Sequence, residues 1–269
     1  AFKTFVENVP FYGFTAMCID HPEVQALIGK IIDRRIVTYG FSPQAEVRGI
    51  NVSFNEGSAH FDVEFSNRQD DDVKVLKNIT MPMPGRHNIS NALAAIAVSH
   101  ELGISDDVIR STFSKFSGVK RRFTLVEKVG GVTIVDDYAH HPVEISSVLS
   151  AAREAYNGKV IAVMQPHRYT RLQSLFDEFC ACFNDADTVI VAPVFEAGEK
   201  PIKGADQKAL IDGLQSAGHR GVVKIDGPEE LPKVIGALAE EGDLVIYLGA
   251  GSVSQWAYAL PDGLRKEKG

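Results

Sequence analysis

The run Val132-Thr133-Ile134-Val135, followed by Asp136-Asp137-Tyr138 and then by Pro142, decides the fold class. A short β-branched run of this kind is typical of a strand buried on both faces of a parallel sheet, and the proline then opens a helix. This order of strand, loop and helix repeats and predicts a doubly wound α/β domain over residues 123–269. The other apolar runs occupy 159–164, 188–192, 222–225 and 243–248, and helices are predicted over 143–156, 170–183, 206–217, 229–240 and 252–260.

The first part of the chain predicts a mixed arrangement of strands and helices. Residues 46–65 alternate with period two around Asn55-Glu56-Gly57, which is a hairpin signal. The basic cluster over 118–122 marks a boundary, so we expect domains at 1–122 and 123–269. Further strands are predicted over 15–19, 36–39 and 73–80, and helices over 22–30, 87–102 and 105–116.

Composition excludes several classes of protein. The 269 residues are 45% hydrophobic and 23% charged, which is typical of a globular chain that can bury a core. The net charge of -7 argues against nucleic-acid binding by bulk charge. Three cysteines, no apolar run long enough to span a membrane and no signal peptide predict a reduced, cytoplasmic protein. The chain starts at Ala1 without methionine, and we expect its beginning to be missing.

Two polar segments follow the first two strands of the second domain. They are Asp136-Asp137-Tyr138-Ala139-His140-His141-Pro142 and Gln165-Pro166-His167-Arg168-Tyr169-Thr170-Arg171. Ligands of open parallel sheets bind outside the carboxyl ends of the strands, so if these strands are neighbours the two segments share one crevice. Arg168 and Arg171 lie three apart at a helix start and can present two guanidinium groups to a carboxylate or phosphate. A helix cap or a solvated arginine face would account for either segment alone.

Two further clusters lie outside that crevice. His87-Asn88-Ile89-Ser90-Asn91 begins the alanine-rich helix, where two side-chain amides on the first turn could read the edge of a purine; a plain capped helix is the alternative. Lys120-Arg121-Arg122 lies at the domain junction and is either a solvated basic linker or part of a functional site.

Metal and dinucleotide sites are less well supported. Adjacent His140 and His141 point in different directions and no pair of histidines is spaced four apart on a helix, so no metal ligand is assigned. Gly249-Ala250-Gly251 lacks the third glycine of a dinucleotide fingerprint, with Ser254 in its place, and is interpreted as a tight turn.

These motifs, in this order, resemble the Mur ligase family, and the alanine-adding branch of it in particular. The resemblance implies an ATP-dependent amide ligase of peptidoglycan synthesis, and thus of cell-wall biogenesis, cell shape and cell division. Residues 1–122 would be the second half of a central ATPase domain with a mixed sheet. Residues 123–269 would be a Rossmann-like C-terminal domain that brings the amino acid. The motifs that carry the resemblance are residues 84–92, 118–123, 136–142 and 165–171.

The resemblance also implies roles for single residues. ATP would phosphorylate the carboxylate of UDP-N-acetylmuramate, and the amine of L-alanine would attack the acyl phosphate. Arg122 and His140 would be catalytic, with Arg122 reaching the terminal phosphate. The implied contacts to ATP are His87, Asn88, Asn91, Arg122 and Asp137, with Asp137 at the ribose; those to the alanine or muramate carboxyl are Tyr138, His140, His167, Arg168 and Arg171.

One departure from the family pattern is large. No Gly-x-x-Gly-Lys-Thr/Ser occurs in the sequence, and the acidic and histidine segment that would carry Mg²⁺ is also missing. Without that loop the phosphates and their Mg²⁺ lack a cradle, so we expect the chain alone not to turn over. The alternatives are a ligase that recycles muropeptides onto the same sugar nucleotide, a binding module without catalysis and a nicotinamide oxidoreductase.

Overall fold

The computed structural model describes residues 2–55, 57–66 and 73–267. The chain divides into two compact units, Ala1–Ser117 and Gly118–Gly269. This boundary lies five residues before the one expected from the sequence, because the basic cluster makes its contacts within the second unit. The amide of Tyr138 donates to the carbonyl of Arg121 at 2.8 Å, which attaches the cluster to the edge of that unit's sheet.

The first unit holds a mixed sheet whose described strands run in chain order from β1 to β5. β1 and β2 pair in parallel, as do β2 and β3, whereas β3, β4 and β5 form an antiparallel meander that includes the predicted hairpin. The elements are α1 (Phe2–Glu7), β1 (Phe14–Cys18), α2 (Pro22–Ile28), β2 (Arg35–Gly40), β3 (Val47–Asn55), β4 (Ser58–Ser66), β5 (Val73–Met81), α3 (Arg86–Glu101) and α4 (Asp106–Ser114).

The core of the first unit lies between the sheet and α3. Ile89, Leu93 and Ile96 recur at helical spacing along α3 and are fully buried. They pack with Phe61 and Leu76 of the meander in one hydrophobic cluster. The periodicity of α3 therefore orients the helix, because one apolar face must cover the sheet.

The second unit is the predicted doubly wound domain, with a mixed rather than purely parallel sheet. The order of its described strands is β10-β9-β8-β11-β7-β6, and only β6 pairs antiparallel. The elements are β6 (Thr124–Val129), β7 (Val132–Asp137), α5 (Pro142–Ala155), β8 (Val160–Met164), α6 (Tyr169–Ser174), α7 (Phe176–Ala181), β9 (Thr188–Val191), α8 (Gln207–Ser216), β10 (Val222–Lys224), a 3-10 turn (Pro228–Glu230), α9 (Leu231–Leu238), β11 (Leu244–Leu248) and α10 (Val253–Glu267).

Helices cover both faces of this sheet. The central strands β7, β8 and β11 are buried along their whole length, as their apolar runs predict, and β7 also buries Asp136 and Asp137 at its end. One hydrophobic cluster joins them to α5–α8 and a second joins them to α9 and α10.

Three details differ from the sequence prediction. The edge strand β6 was not expected; its partly exposed residues lack the continuous apolar run of the central strands. The helix predicted over 170–183 is divided into α6 and α7 at Leu175, which has φ -125° and ψ 30°. The last helix was expected to end at residue 260, but α10 continues through Pro261 to Glu267. Across residues 2–55, 57–66 and 73–267, no helix has both the length and the apolar composition needed to cross a bilayer.

Candidate functional site

The two polar segments of the second unit come together, although their strands are not neighbours. β11 lies between β7 and β8, so the condition set from the sequence is not met. The segments nevertheless meet at the carboxyl end of β11. The amide of Gln165 donates to the carbonyl of Leu248, and the amide of Gly249 donates to the carbonyl of Asp137. The intervening strand therefore joins the two segments.

Four rings form a row along this edge, which we call the aromatic row: Tyr138, His140, His167 and Phe195. The centroid distances between successive rings are 5.0 Å, 5.9 Å and 5.3 Å. The first two contacts are edge-to-face, and His167 stacks on Phe195 with 13° between the ring planes. Three of the four were predicted site residues. Phe195 was missed, although it follows β9 and the rule of carboxyl strand ends would have pointed to it.

The start of α5 holds His140 in place. Its Nδ1 lies 2.9 Å from the carbonyl oxygen of Tyr138, and its amide donates to the carboxylate of Glu144 at 3.1 Å. Glu144 also accepts from the amide of His141, which completes a capping box at the helix start. Glu144 is therefore a further residue of the site that the motif search had passed over.

Arg121 and Arg122 point to different surroundings. The Nη2 of Arg121 donates to the carbonyl of Gly249 at 2.7 Å, and its guanidinium carbon lies 4.5 Å from the ring centroid of Tyr138. Its Nε faces the buried carboxylate of Asp136 at 3.9 Å. The side chain of Arg122 is 45% exposed, with a guanidinium nitrogen 3.9 Å from Glu144. Arg121 thus braces the site, whereas Arg122 presents its charge to solvent.

Asp137 is almost completely buried, with 2% of its surface exposed. One carboxylate oxygen accepts from the amide of Phe123 and the other from the amide of Ala139, both at 2.7 Å. Burial raises the pKa of this carboxyl to about 6, against the opposing effect of the two amides and of Arg122. In the observed geometry Asp137 attaches Phe123, the residue before β6, to the end of β7.

The titration of Asp137 is the first testable prediction. An NMR titration of the aspartate carboxyl carbons should show a midpoint near the value of about 6, raised from the ordinary 3.8. The pKa of Asp137 is higher in the folded than in the unfolded chain. Its contribution to the free energy of unfolding is therefore fully present below about pH 4 and is lost as the pH rises through about 6. Asp137→Asn should abolish this titration and so assign it. A midpoint at the ordinary value would contradict the burial argument.

The two arginines of the second segment do not form a matched pair. The Nη1 of Arg171 donates to the carbonyl of His167 at 3.0 Å, so this side chain turns back onto the aromatic row. Arg168 has φ +75°, and its side chain is 50% exposed, with a nitrogen 3.8 Å from Glu199. Burial, followed by the charge of Arg171, lowers the pKa of His167, which favours the neutral form of its ring. Arg168 is the group that can receive a carboxylate beside the row.

Loop 193–206 brings Glu199 to this segment. Its carboxylate accepts from the amide of Thr170 at 3.0 Å and from the Thr170 hydroxyl at 2.7 Å. The amide of Arg168 donates to the carbonyl of Phe195 at 2.9 Å. The loop is thereby attached at Phe195 and Glu199 to the start of α6.

The predicted adenine-reading residues lie at the start of α3 in the first unit. Asn88 is 8% exposed, and its Nδ2 donates to the carbonyl of Pro84 at 2.7 Å. Asn91 is exposed one turn later, and His87 is half-buried. Of the two amides, Asn88 braces the turn before the helix, and Asn91 is the one accessible to a ligand.

Side chains that commonly ligate metals do not cluster in the described part of the chain. No group of three or more His, Cys, Asp or Glu side chains is placed to hold a metal ion in the part of the chain that the structure describes. The Mg²⁺ that the resemblance implies would be held mainly by the phosphates of the nucleotide, with one or two carboxylates.

Comparison with known families matches two domains. The family described as "Mur ligase middle domain" matches residues 1–99, and the family described as "Mur ligase, glutamate ligase domain" matches residues 121–251. Together these two matches cover most of the chain.

Individual proteins agree with the family matches. The UDP-N-acetylmuramate–L-alanine ligase of Bradyrhizobium sp. (strain BTAi1) is 61% identical over 98% of this chain, which covers 57% of that protein. The chain thus spans little more than half the length of such relatives. The crystal structure of the UDP-N-acetylmuramate-alanine ligase of Thermotoga maritima has a TM-score of 0.70 at 26% identity, covering 86% of this chain and 48% of that one. A murein peptide ligase of Psychrobacter arcticus shares the fold, with a TM-score of 0.61 at 21% identity, covering 98% of this chain and 53% of that one.

Proposed function

Since this chain belongs to the Mur ligase family, we propose that it is the second part of a longer ATP-dependent ligase that joins L-alanine to UDP-N-acetylmuramate. We call that longer protein the complete ligase. In this proposal residues 1–122 are the second half of the ATPase domain and residues 123–269 bring the amino acid. The Bradyrhizobium relative carries the name of this activity at 61% identity, which supports the choice of alanine.

The observation that carries the proposal is the exposed guanidinium of Arg168 beside the aromatic row. A carboxylate can pair with Arg168, where Glu199 is the competing anion at 3.8 Å. His167 and the adjacent His140 would then border the remainder of a bound amino acid. Arg171 contributes by holding the backbone of His167. Tyr138 and His140 would lie beside the muramate carboxyl that reacts.

Nucleotide contacts are proposed for each unit by itself. Asn91, with His87, would contact the adenine, and Asn88 would support them through Pro84. Arg122 would offset the charge of the transferred phosphoryl group. The burial of Asp137 favours a positioning role, in which its carboxylate orients the backbone next to Arg122, over the direct ribose contact that the resemblance implies.

The reaction would proceed in two steps. A carboxylate oxygen of UDP-N-acetylmuramate attacks the terminal phosphorus of ATP, and the bond to ADP breaks. The amine of L-alanine then attacks the acyl carbon, phosphate leaves with the electron pair of the broken C–O bond, and the amine loses a proton. His140 lies in the row where that proton could be received, so we assign it and Arg122 as catalytic residues. No step is assigned through Mg²⁺, whose ligands would lie mostly in the rest of the complete ligase.

The test compares the complete ligase with the chain 1–269 in a coupled assay for ADP release. UDP-N-acetylmuramate, ATP and L-alanine are supplied, and L-alanine is then replaced by a muropeptide. We expect turnover with alanine by the complete ligase and none by the chain, which lacks the phosphate-binding loop. Turnover by the isolated chain would refute its dependence on that loop. Preference of the complete ligase for the muropeptide would identify the recycling activity instead, and no ADP release with either would favour a binding module.

A further inference from the structure

Phe195 borders two separate spaces in the second unit. One face of its ring stacks on His167 at the end of the aromatic row. Phe195 also lines an open cleft of about 530 Å³, whose lining includes Val194, Pro228 and Trp256 and none of the other rings of the row. Phe195 is thus the ring common to the row and the cleft.

The position of Phe195 is fixed by its backbone and by a neighbouring glycine. Its amide donates to the carbonyl of Pro166 at 2.7 Å, and its carbonyl accepts from the amide of Arg168 at 2.9 Å. A Cβ placed on Gly251 would lie 2.6 Å from Cγ of Phe195, so only a hydrogen fits there. The backbone of Phe195 is therefore held in place, and its ring forms a partition between the row and the cleft.

The cleft behind the partition offers mainly apolar surface. Trp256 and Val194 line it, and its acidic side chains already have partners. Asp226 pairs with Lys224 at 2.5 Å, and the carboxylate of Glu196 accepts from the Tyr169 hydroxyl at 3.3 Å. A small aliphatic side chain could enter this space without leaving a buried charge unpaired.

We propose that Phe195 sets the upper size of the amino-acid side chain that the ligase accepts, by separating the amino-acid site from this cleft. The inference rests on the proposed function. In this inference the carboxylate of the amino acid is held at Arg168 and its amine is directed towards His140. Its side chain then faces Phe195 at the end of the aromatic row. A methyl group fits against the ring, whereas a longer side chain collides with it.

The kinetic test uses Phe195→Ala in the complete ligase. The ratio of kcat/KM for L-2-aminobutyrate or L-valine to that for L-alanine should rise by about 10-fold, because one methylene is commonly worth at least a factor of this size in a hydrophobic pocket. Phe195→Leu, which keeps most of the volume, should give a smaller rise and covers the case that the alanine variant does not fold. Trp256→Phe is the control, because it changes the cleft but not the partition. With Phe195 present, it should leave the ratio of kcat/KM values unchanged.

A second readout needs no turnover. Trp256 is the only tryptophan of the sequence, so its fluorescence reports on the cleft. Titration of the chain with L-valine should change the emission of the Phe195→Ala variant and not that of the unchanged chain. If folded variants keep the selectivity ratio of the unchanged ligase, the inference about Phe195 is wrong while the proposed function stands. If the unchanged ligase does not use alanine, the proposed function itself fails.

Discussion

Replacing Arg121 by methionine is expected to lower the free energy of unfolding of unit Gly118–Gly269 by about 3 kcal/mol. The substitution removes the hydrogen bond to the carbonyl of Gly249 and the contact with the Tyr138 ring. It also leaves the carboxylate of Asp136 buried without its facing cation. A buried charge that loses its partner costs more than the pair had contributed, and for this reason the effect should be large. Urea unfolding of the chain provides the measurement.

Two control variants separate this explanation from a general loss of positive charge. Lys120→Met removes a charge from the neighbouring exposed residue and should change stability by less than about 0.5 kcal/mol. Adding Asp136→Asn to Arg121→Met should restore part of the loss, because an amide can keep the hydrogen bond from the Ser254 hydroxyl without a charge. If the double variant is as unstable as the sum of the single ones, the ion pair is not the cause.

Replacing Arg168 by alanine in the complete ligase is expected to raise the KM for L-alanine by about 10- to 100-fold, which corresponds to about 1.4–2.8 kcal/mol. Arg168 is the exposed guanidinium beside the aromatic row, and its loss would remove the partner of the amino-acid carboxylate. Arg168→Lys keeps the charge but not the planar fork, so its KM should lie in between. Steady-state kinetics at saturating ATP and UDP-N-acetylmuramate measures both.

A matched surface substitution provides the control for Arg168. Lys208→Ala removes an exposed cation of α8 that pairs within its own helix with Asp212, and it should leave the KM for alanine unchanged. An unchanged KM in Arg168→Ala would exclude Arg168 from the amino-acid site. A fall in kcat at constant KM would instead indicate a role in the chemical step.

Much of the fold could be predicted because it depends on local patterns. Five apolar runs became the parallel strands of the second unit, and the alternation around Asn55 became the hairpin of β3 and β4. The order of strands in space could not be predicted in the same way. β11 comes last in that unit and yet inserts between β7 and β8, a pairing between residues more than eighty positions apart. Sheet order depends on such non-local contacts, and strand patterns alone do not encode them.

The candidate site shows the same division. The residue types at the ends of β7 and β8 indicated an anion site, and Tyr138, His140 and His167 do come together. The side-chain directions were not available from the sequence. Arg171 turns inward to a backbone carbonyl and Asn88 braces Pro84, although each had been expected to face a ligand.

The two α/β units, the polar segments at the strand ends and the resemblance to the Mur ligases could all be recognised before the fold was known. All of these depend on residue type and spacing along the chain. The three-dimensional packing, in contrast, was needed to tell which of two adjacent residues braces the site and which faces solvent, as with Arg121 and Arg122. It alone placed Phe195 against His167, because loop 193–206 reaches the row through backbone hydrogen bonds, and backbone groups are the same in every sequence.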